Sequence, residues 1–209
     1  MSVTIILGYI IVILASLFIL FTAFHQLIFL RNPKREIPTG RVIVSPADGK
    51  VIDIIKITKK EIKIKKGLLG QIKTLAKGMG NEAILVSIFM NPISVHYNRA
   101  PIEGKVTSSK HKSGKFLPTN TIERGLQNEK HEILIENKDL GKIKVIQIAG
   151  FLARRIDCFV KKGDMLEKGE RFGLINLGSQ ASVILPTKVQ IKIKKGDRVK
   201  AGSSIIAEY

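Results

Sequence analysis

The sequence predicts a mostly β protein behind an N-terminal membrane helix, and three observations carry that expectation. One long uncharged apolar run occupies the start of the chain. Beyond it, short alternating strands are punctuated by Pro and Gly turns. Two pairs of internal echoes repeat the same β-turn-β signatures.

Residues Val3 to Leu30 contain no Asp, Glu, Lys or Arg. The run exceeds the roughly 20 residues that cross a bilayer. A cleaved signal peptide fits poorly, because no basic region precedes the run and no A-x-A-like site follows it. Arg31, Lys34 and Arg35 come next. The positive-inside rule places this flank, and the chain that follows, in the cytoplasm. The expected division is an anchor over 1–30, a basic linker over 31–40 marked by Pro33, Pro38 and Gly40, and a β domain over 41–209.

From Arg41 the texture is β. RVIVSPADGKVIDIIKI reads as strand, turn, strand, and EIKIKK alternates as a half-exposed strand does. GLLGQIKTLAKGMG (67–80) breaks the pattern, with Leu68, Leu69, Ile72, Leu75 and Ala76 at helical spacing. It reads as a short amphipathic helix or a glycine-hinged flap, packed on the domain or resting on a membrane surface. EAILVSIFM, HEILIE and KIKVIQIAG are apolar strands, and the turn-rich HKSGKFLPTNTIERGLQNEKHE between them is a candidate active-site loop.

SPADGKV (45–51) echoes APIEGKV (100–106), and VKKGDMLEKGE (160–170) echoes IKKGDRVKAGS (193–203). The second pattern resembles lipoyl and biotinyl carriers and other barrel-sandwich hybrid folds. Those carriers hold a modifiable lysine at a hairpin tip. Here the corresponding turn carries Gly178-Ser179, with no lysine beside it.

The formal charge of +18 asks for a polyanionic partner. Nucleic acid is disfavoured, because Trp is absent and aromatic stacking residues are scarce. An anionic membrane surface is the better fit. The single cysteine, Cys158, excludes an internal disulfide, and no Cys/His cluster has zinc spacing, so no metal is expected.

Three turns each bring one reactive side chain: Asp48 in SPADG, His96 in SVHYNRAP and Ser179 in LGSQ. Together they could form a triad in which the imidazole takes the serine proton and the carboxylate orients the imidazole. Taken singly, each has a plainer reading, as an Asx-turn, a strand-end histidine and a β-turn serine. Spacing does not establish that they meet.

SPADGKV, SIFMNPISVHYNRAPIEGKV, GKF, QIAGFLARRI and GERFGLINLGSQASVILP resemble, collinearly from about Phe29 to the end, the phosphatidylserine decarboxylase family in its short type II form of bacteria and archaea. The resemblance implies a self-processing proenzyme. Its reactive serine falls on Ser179, whose hydroxyl attacks the Gly178 carbonyl. Cleavage between Gly178 and Ser179 leaves a β chain of 1–178 and an α chain of 179–209, with Ser179 converted to a pyruvoyl group. That covalent cofactor forms a Schiff base with the serine amine of the lipid. The family's processing residues fall on Asp48 and His96, and Arg99, Lys115, Arg154 and Arg155 are candidate headgroup ligands. The implied substrate is a serine phospholipid, phosphatidylserine or archaetidylserine, at the cell membrane, and a higher homo-oligomer is left open. Gln180 stands where Thr or Arg is frequent in the family. The competing expectation is a membrane-tethered, non-enzymatic carrier or scaffold built on a lipoyl-like domain.

Overall fold

The computed structural model describes residues 3–57, 72, 78–80, 82–151, 155–176 and 179–209. The chain opens with α1 (Val3–Phe24), none of whose residues is buried by the rest of the protein. At about 1.5 Å per residue its 22 residues extend about 33 Å, enough to cross a hydrocarbon core. Two of its hydroxyls are satisfied within the helix. Ser16 Oγ donates to the Val12 carbonyl at 2.8 Å, and Thr22 Oγ1 to those of Phe18 and Ile19 at 3.0 and 2.9 Å. The helix then widens into a π-helical turn, His25–Phe29, closed by Leu30 N–H donating to the His25 carbonyl.

The strands in chain order are β1 (Val42–Val44), β2 (Gly49–Ile57), β3 (Ala83–Met90), β4 (Tyr97–Arg99), β5 (Gly104–Lys112), β6 (Lys130–Asn137), β7 (Gly141–Ile148), β8 (Ile156–Cys158), β9 (Met165–Leu166), β10 (Arg171–Ile175), β11 (Ser179–Leu185), β12 (Gln190–Ile191), β13 (Arg198–Val199) and β14 (Ile205–Glu208). A single short helix, α2 (Ile122–Gly125), lies among the described residues after the N-terminal segment, apart from the isolated helical position Ile72.

Eight strands form one antiparallel sheet in the order β13-β2-β3-β11-β7-β6-β5-β9, which curls into a half-barrel. Two three-stranded sheets, β1-β14-β12 and β4-β10-β8, complete the described strand pairing. They pack on one face of the large sheet over a core that includes Ile43, Ile88, Phe172, Val183 and Ile206. The other face carries a second core of Leu85, Ile146 and Ile184, capped by Ile72, Ile122 and Leu126. Central strands covered on both faces must be apolar throughout, and every residue of β11 is buried.

The internal echoes pair with one another. The first KKGD turn runs into β9, which pairs with β5 (Gly104↔Leu166), and the second runs into β13, which pairs with β2 (Gly49↔Val199). The supporting bonds repeat as well: Val106 N–H donates to the Asp164 carbonyl and Val51 N–H to that of Asp197. A glycine stands at each crossing for lack of space. A Cβ on Gly49 would lie 2.2 Å from the Phe89 carbonyl oxygen, and one on Gly104 would lie 2.5 Å from that of Glu136. The expected pseudo-symmetric β domain is therefore formed, with one repeat at each edge of the large sheet.

Residues 31–40 form no regular element, yet they lie on the domain. Ile37 packs against Gly169 and Gly202, and Lys168 Nζ donates to the Gly40 carbonyl. Most of the 67–80 stretch lies outside the described residues. Its one described apolar helical-spacing position, Ile72, is wholly buried in the second core.

Candidate active site

Ser179 opens β11, the strand held between β3 and β7 at the centre of the large sheet. It pairs with Met90 at the last position of β3. Ser179 is fully buried, and among the described residues its hydroxyl donates only to the Met90 sulfur, at 3.6 Å. A thioether is a weak acceptor, so this proton is held loosely. Asn98 Nδ2 donates to the same sulfur at 3.8 Å and to the Pro46 carbonyl at 3.4 Å. Gln147 Nε2 in turn donates to Asn98 Oδ1 at 3.0 Å. Gly173 makes room for that amide, since a Cβ there would lie 2.4 Å from Gln147 Nε2.

His96 sits on the chain that leaves Met90. Its carbonyl accepts from Ile175 N–H, at the end of the strand that runs on toward Ser179. The His96 backbone is thus bonded to β10 four residues before Ser179. The side chain is fully buried, and among the described residues neither ring nitrogen has a hydrogen-bond partner of good geometry, the Ser94 backbone lying near but misaligned. Burial pushes its pKa from 6.5 down to about 4; the Ser94 backbone pulls the other way, and the charge of Arg31 adds to the lowering. The ring is therefore a neutral imidazole at physiological pH, able to accept a proton.

Aromatic rings wall this pocket. Phe29, from the π-helical turn, packs on His96 with ring centroids 4.1 Å apart, His25 stacks on Phe29 at 5.3 Å, and Phe21 on His25 at 6.3 Å. A continuous ladder of rings runs from the apolar helix to the buried histidine.

Asp48 is held elsewhere. Arg35 Nη2 donates to both carboxylate oxygens, at 3.0 and 2.8 Å, and Ala201 N–H donates to Oδ1 at 2.7 Å. The turn bearing Asp48 is fastened to the histidine segment through Arg99 N–H donating to the Pro46 carbonyl. No hydrogen bond joins Asp48 to His96 in this structure, since both imidazole nitrogens are unpartnered.

Arg99 lies in the same charged group, with Nη1 donating to the Gly169 carbonyl and Nη2 to Asn32 Oδ1, both at 2.8 Å. Burial, then the charges of Arg35 and Arg171, lowers its pKa, against the pull of Asp48. Lys115 is exposed, its backbone bridged to Asn128, and Arg155 is exposed and paired with Asp157 at 2.9 Å. Arg154 and Gly178 lie outside the described residues.

Reading the sequence by motif missed Phe29, Arg35, Asn98 and Gln147. Gln147 leaves one signal in hindsight, a polar residue inside the apolar strand KIKVIQIAG, and its Oε1 is buried without a partner. Gln180 Oε1 is likewise unpartnered, while its Nε2 donates to Ser182 Oγ at 3.0 Å. Among the described residues no group of three His, Cys, Asp or Glu could hold a metal ion. The unpartnered nitrogens of His96 and the weakly held Ser179 hydroxyl suit a site built around a carbonyl group made from Ser179 itself.

Comparison with known proteins agrees with the geometry. Residues 21–207 match the phosphatidylserine decarboxylase family. The phosphatidylserine decarboxylase proenzyme of Syntrophus aciditrophicus is 41% identical over 182 residues, covering 87% of this chain and 78% of that protein. Those of Pelobacter propionicus and Chlorobium limicola are 37% and 38% identical, covering 92% and 93% of this chain and 80% and 84% of theirs. The match spans both cores and every element around Ser179 and His96, and the chain belongs to the phosphatidylserine decarboxylase family.

Proposed function

We propose that this protein is a carboxy-lyase, made as a proenzyme, that removes the carboxyl group of a serine phospholipid as carbon dioxide and leaves the ethanolamine lipid. The observation that carries the reading is Ser179, fully buried at the head of the central strand of a decarboxylase-family sheet, with a neutral, unpartnered imidazole on the adjoining chain.

Maturation begins with the Ser179 hydroxyl attacking the Gly178 carbonyl carbon. An ester bond forms, the Gly178–Ser179 amide bond breaks, and His96 takes the hydroxyl proton while the freed amine gains one. Loss of the Ser179 α-proton then expels the Gly178 carboxylate, leaving a dehydroalanine. Its tautomer is hydrolysed by one water, which releases ammonia and leaves the pyruvoyl group on residue 179. The resulting β chain (1–178) and α chain (179–209) stay together, because β11 is hydrogen-bonded to β3 and β7, and β14 to β1 and β12.

The pyruvoyl carbonyl supplies an electron sink for the bond to the departing carboxylate. The protein's own residues do the rest. The walls around Ser179 exclude water. His96 is placed to move a proton at the carbon that loses the carboxylate. Arg35 and Ala201 fix Asp48 and with it the SPADG turn, whose Pro46 carbonyl accepts from Arg99 N–H on the histidine segment. Lys115 and Arg155 are the exposed cations we assign to the headgroup, Arg154 joins them on the family resemblance alone, and Arg99 holds the 31–40 segment through Asn32.

α1 spans the membrane with the β domain on the cytoplasmic side. A carrier role fits less well, since a carrier's modified residue swings free and Ser179 is enclosed. The lipid's chains can be acyl, as in phosphatidylserine, or isoprenoid ethers, as in archaetidylserine. Carbon dioxide release from each lipid by the purified full chain tests the activity. Release from either, lost in Ser179→Ala, is expected, and no release from both would overturn the reading.

A further inference from the structure

The register of the large sheet places Met90, Ser179, Ile148, Lys130 and Lys112 at one common end of strands β3, β11, β7, β6 and β5. The connections after β3 and β7 leave the sheet at this end, where Ser179 begins β11. Each presents a large apolar side chain to the outside: Ile93, 64% exposed, after β3, and Phe151, 56% exposed, after β7.

The turn that presents Ile93 is braced. Asn91 Oδ1 accepts from Ile93 N–H at 3.0 Å and from Ser94 Oγ at 3.1 Å, and the Asn91 carbonyl accepts from Ser94 N–H at 2.9 Å. Its apolar tip is thus held in the open by three hydrogen bonds to Asn91, where a floppy loop could fold it away. On the second connection, buried Asn128 donates to the Ala149 carbonyl at 2.8 Å, two residues before Phe151.

The apolar helix ends at the same place. Arg31 donates from one guanidinium to the carbonyls of Ile28, on the π-helical turn, and of Ile93. Only residues 25–28 of that turn separate the end of α1 from the Phe29–His96 stack. No slack remains for the domain to stand away from the surface in which the helix is set. Leu27 and Ile28 are exposed beside the clamp, which Arg31 itself forms, and the exposed Lys34 follows three residues later. Exposed apolar tips rimmed by cations are what an anionic bilayer surface accepts.

We propose that this end of the sheet is docked in the bilayer, with Ile93 and Phe151 set among the lipids beside the Ser179 site. A serine lipid then reaches the site with its chains still in the membrane. The proposal rests on the reading of α1 as a membrane span.

The protein has no Trp, so each single substitution is a clean fluorescent reporter. Ile93→Trp, Phe151→Trp, Leu14→Trp and Met165→Trp are compared in the full chain, reconstituted in vesicles of phosphatidylglycerol with phosphatidylcholine brominated on its acyl chains. Met165 is 69% exposed but lies at the opposite end of the sheet, opposite Lys105. Docking predicts blue-shifted, bromine-quenched emission from Leu14→Trp, Ile93→Trp and Phe151→Trp, and none of either from Met165→Trp. Quenching of Leu14→Trp alone overturns docking and leaves the span standing. No quenching at Leu14→Trp overturns the span, and docking with it.

A second measurement is kinetic. In Ile93→Asp/Phe151→Asp, kcat/KM on vesicle-borne serine lipid is expected to fall on the order of tenfold or more. On a short-chain, monomeric serine lipid it is expected to stay unchanged. Equal loss on both substrates overturns the proposal.

Discussion

Phe29 and His96 are in ring contact, centroids 4.1 Å apart and planes inclined by 33°. The last aromatic side chain of the membrane-length segment is therefore a wall of the pocket that holds the buried imidazole. The apolar helix and the candidate site are one packed unit, and the ladder through His25 and Phe21 extends that unit into the helix.

Phe29→Ala should open this wall. Removing a buried Phe costs about 3–5 kcal/mol, and the cavity admits water to His96. The expected result is a lower unfolding midpoint together with a rise of the His96 pKa from about 4 toward its ordinary value, read by NMR titration. Phe29→Leu should lose much less of both. An unchanged pKa in the Ala variant would show that the ring does not set the burial.

The same lowered pKa gives a pH dependence with a definite sign. His96 titrates near 6.5 unfolded and about 4 folded, so the unfolded chain binds the proton more readily. Its effect is absent above about 6.5, where both states are neutral. Stability should fall as pH drops from 6.5 to 4, by up to roughly 3 kcal/mol from this group, and His96→Gln should flatten that limb. Urea midpoints across this range check it. Cleavage by the wild type should stay level from neutral pH down toward 5 and be absent in His96→Gln.

The Arg35–Asp48 pair is enclosed, with side chains 10% and 15% exposed. Arg35→Ala leaves the carboxylate with the Ala201 N–H as its recorded donor and should cost about 2–4 kcal/mol. Arg35→Lys should restore only part, since a lysine cannot reproduce the guanidinium geometry. Arg35→Ala/Asp48→Asn should be more stable than Arg35→Ala alone. Thermal unfolding of the variants measures each step.

Gln147→Leu removes the donor to Asn98 Oδ1 and leaves that oxygen buried, at a cost of about 1–3 kcal/mol. Asn98 shares the Met90 sulfur with Ser179, so the serine should also be displaced and self-cleavage slowed. The half-time of cleavage after synthesis, followed by gel, is the readout. Unchanged cleavage in a folded variant would separate Gln147 from the serine.

Much of this architecture is legible in the sequence, because it depends on local pattern. The paired KKGD turns and the SPADGKV and APIEGKV strands could be matched by eye, and they pair in space at the two edges of one sheet. The apolar run announces a helix by length alone. What escaped depends on approach between distant segments. Phe29 looks like any other apolar position of the run until His96 arrives beneath it. Arg31 and Arg35 read as flanking charge, yet one clamps the Ile93 turn and the other holds Asp48. Gln147 and Asn98 meet only because β4 and β7 come together across the core. The expected Asp48–His96 bond is absent from this arrangement, while the His96 carbonyl accepts from Ile175 N–H, four residues before Ser179.

The most direct test of the central claim is the intact mass of the full chain after purification. Two chains are expected, one of residues 1–178 and one of residues 179–209 with the mass of a pyruvoyl terminus in place of serine, and Ser179→Ala should remain a single uncut chain. A wild-type chain that stays whole, or a fragment that begins with unmodified Ser179, would contradict the account.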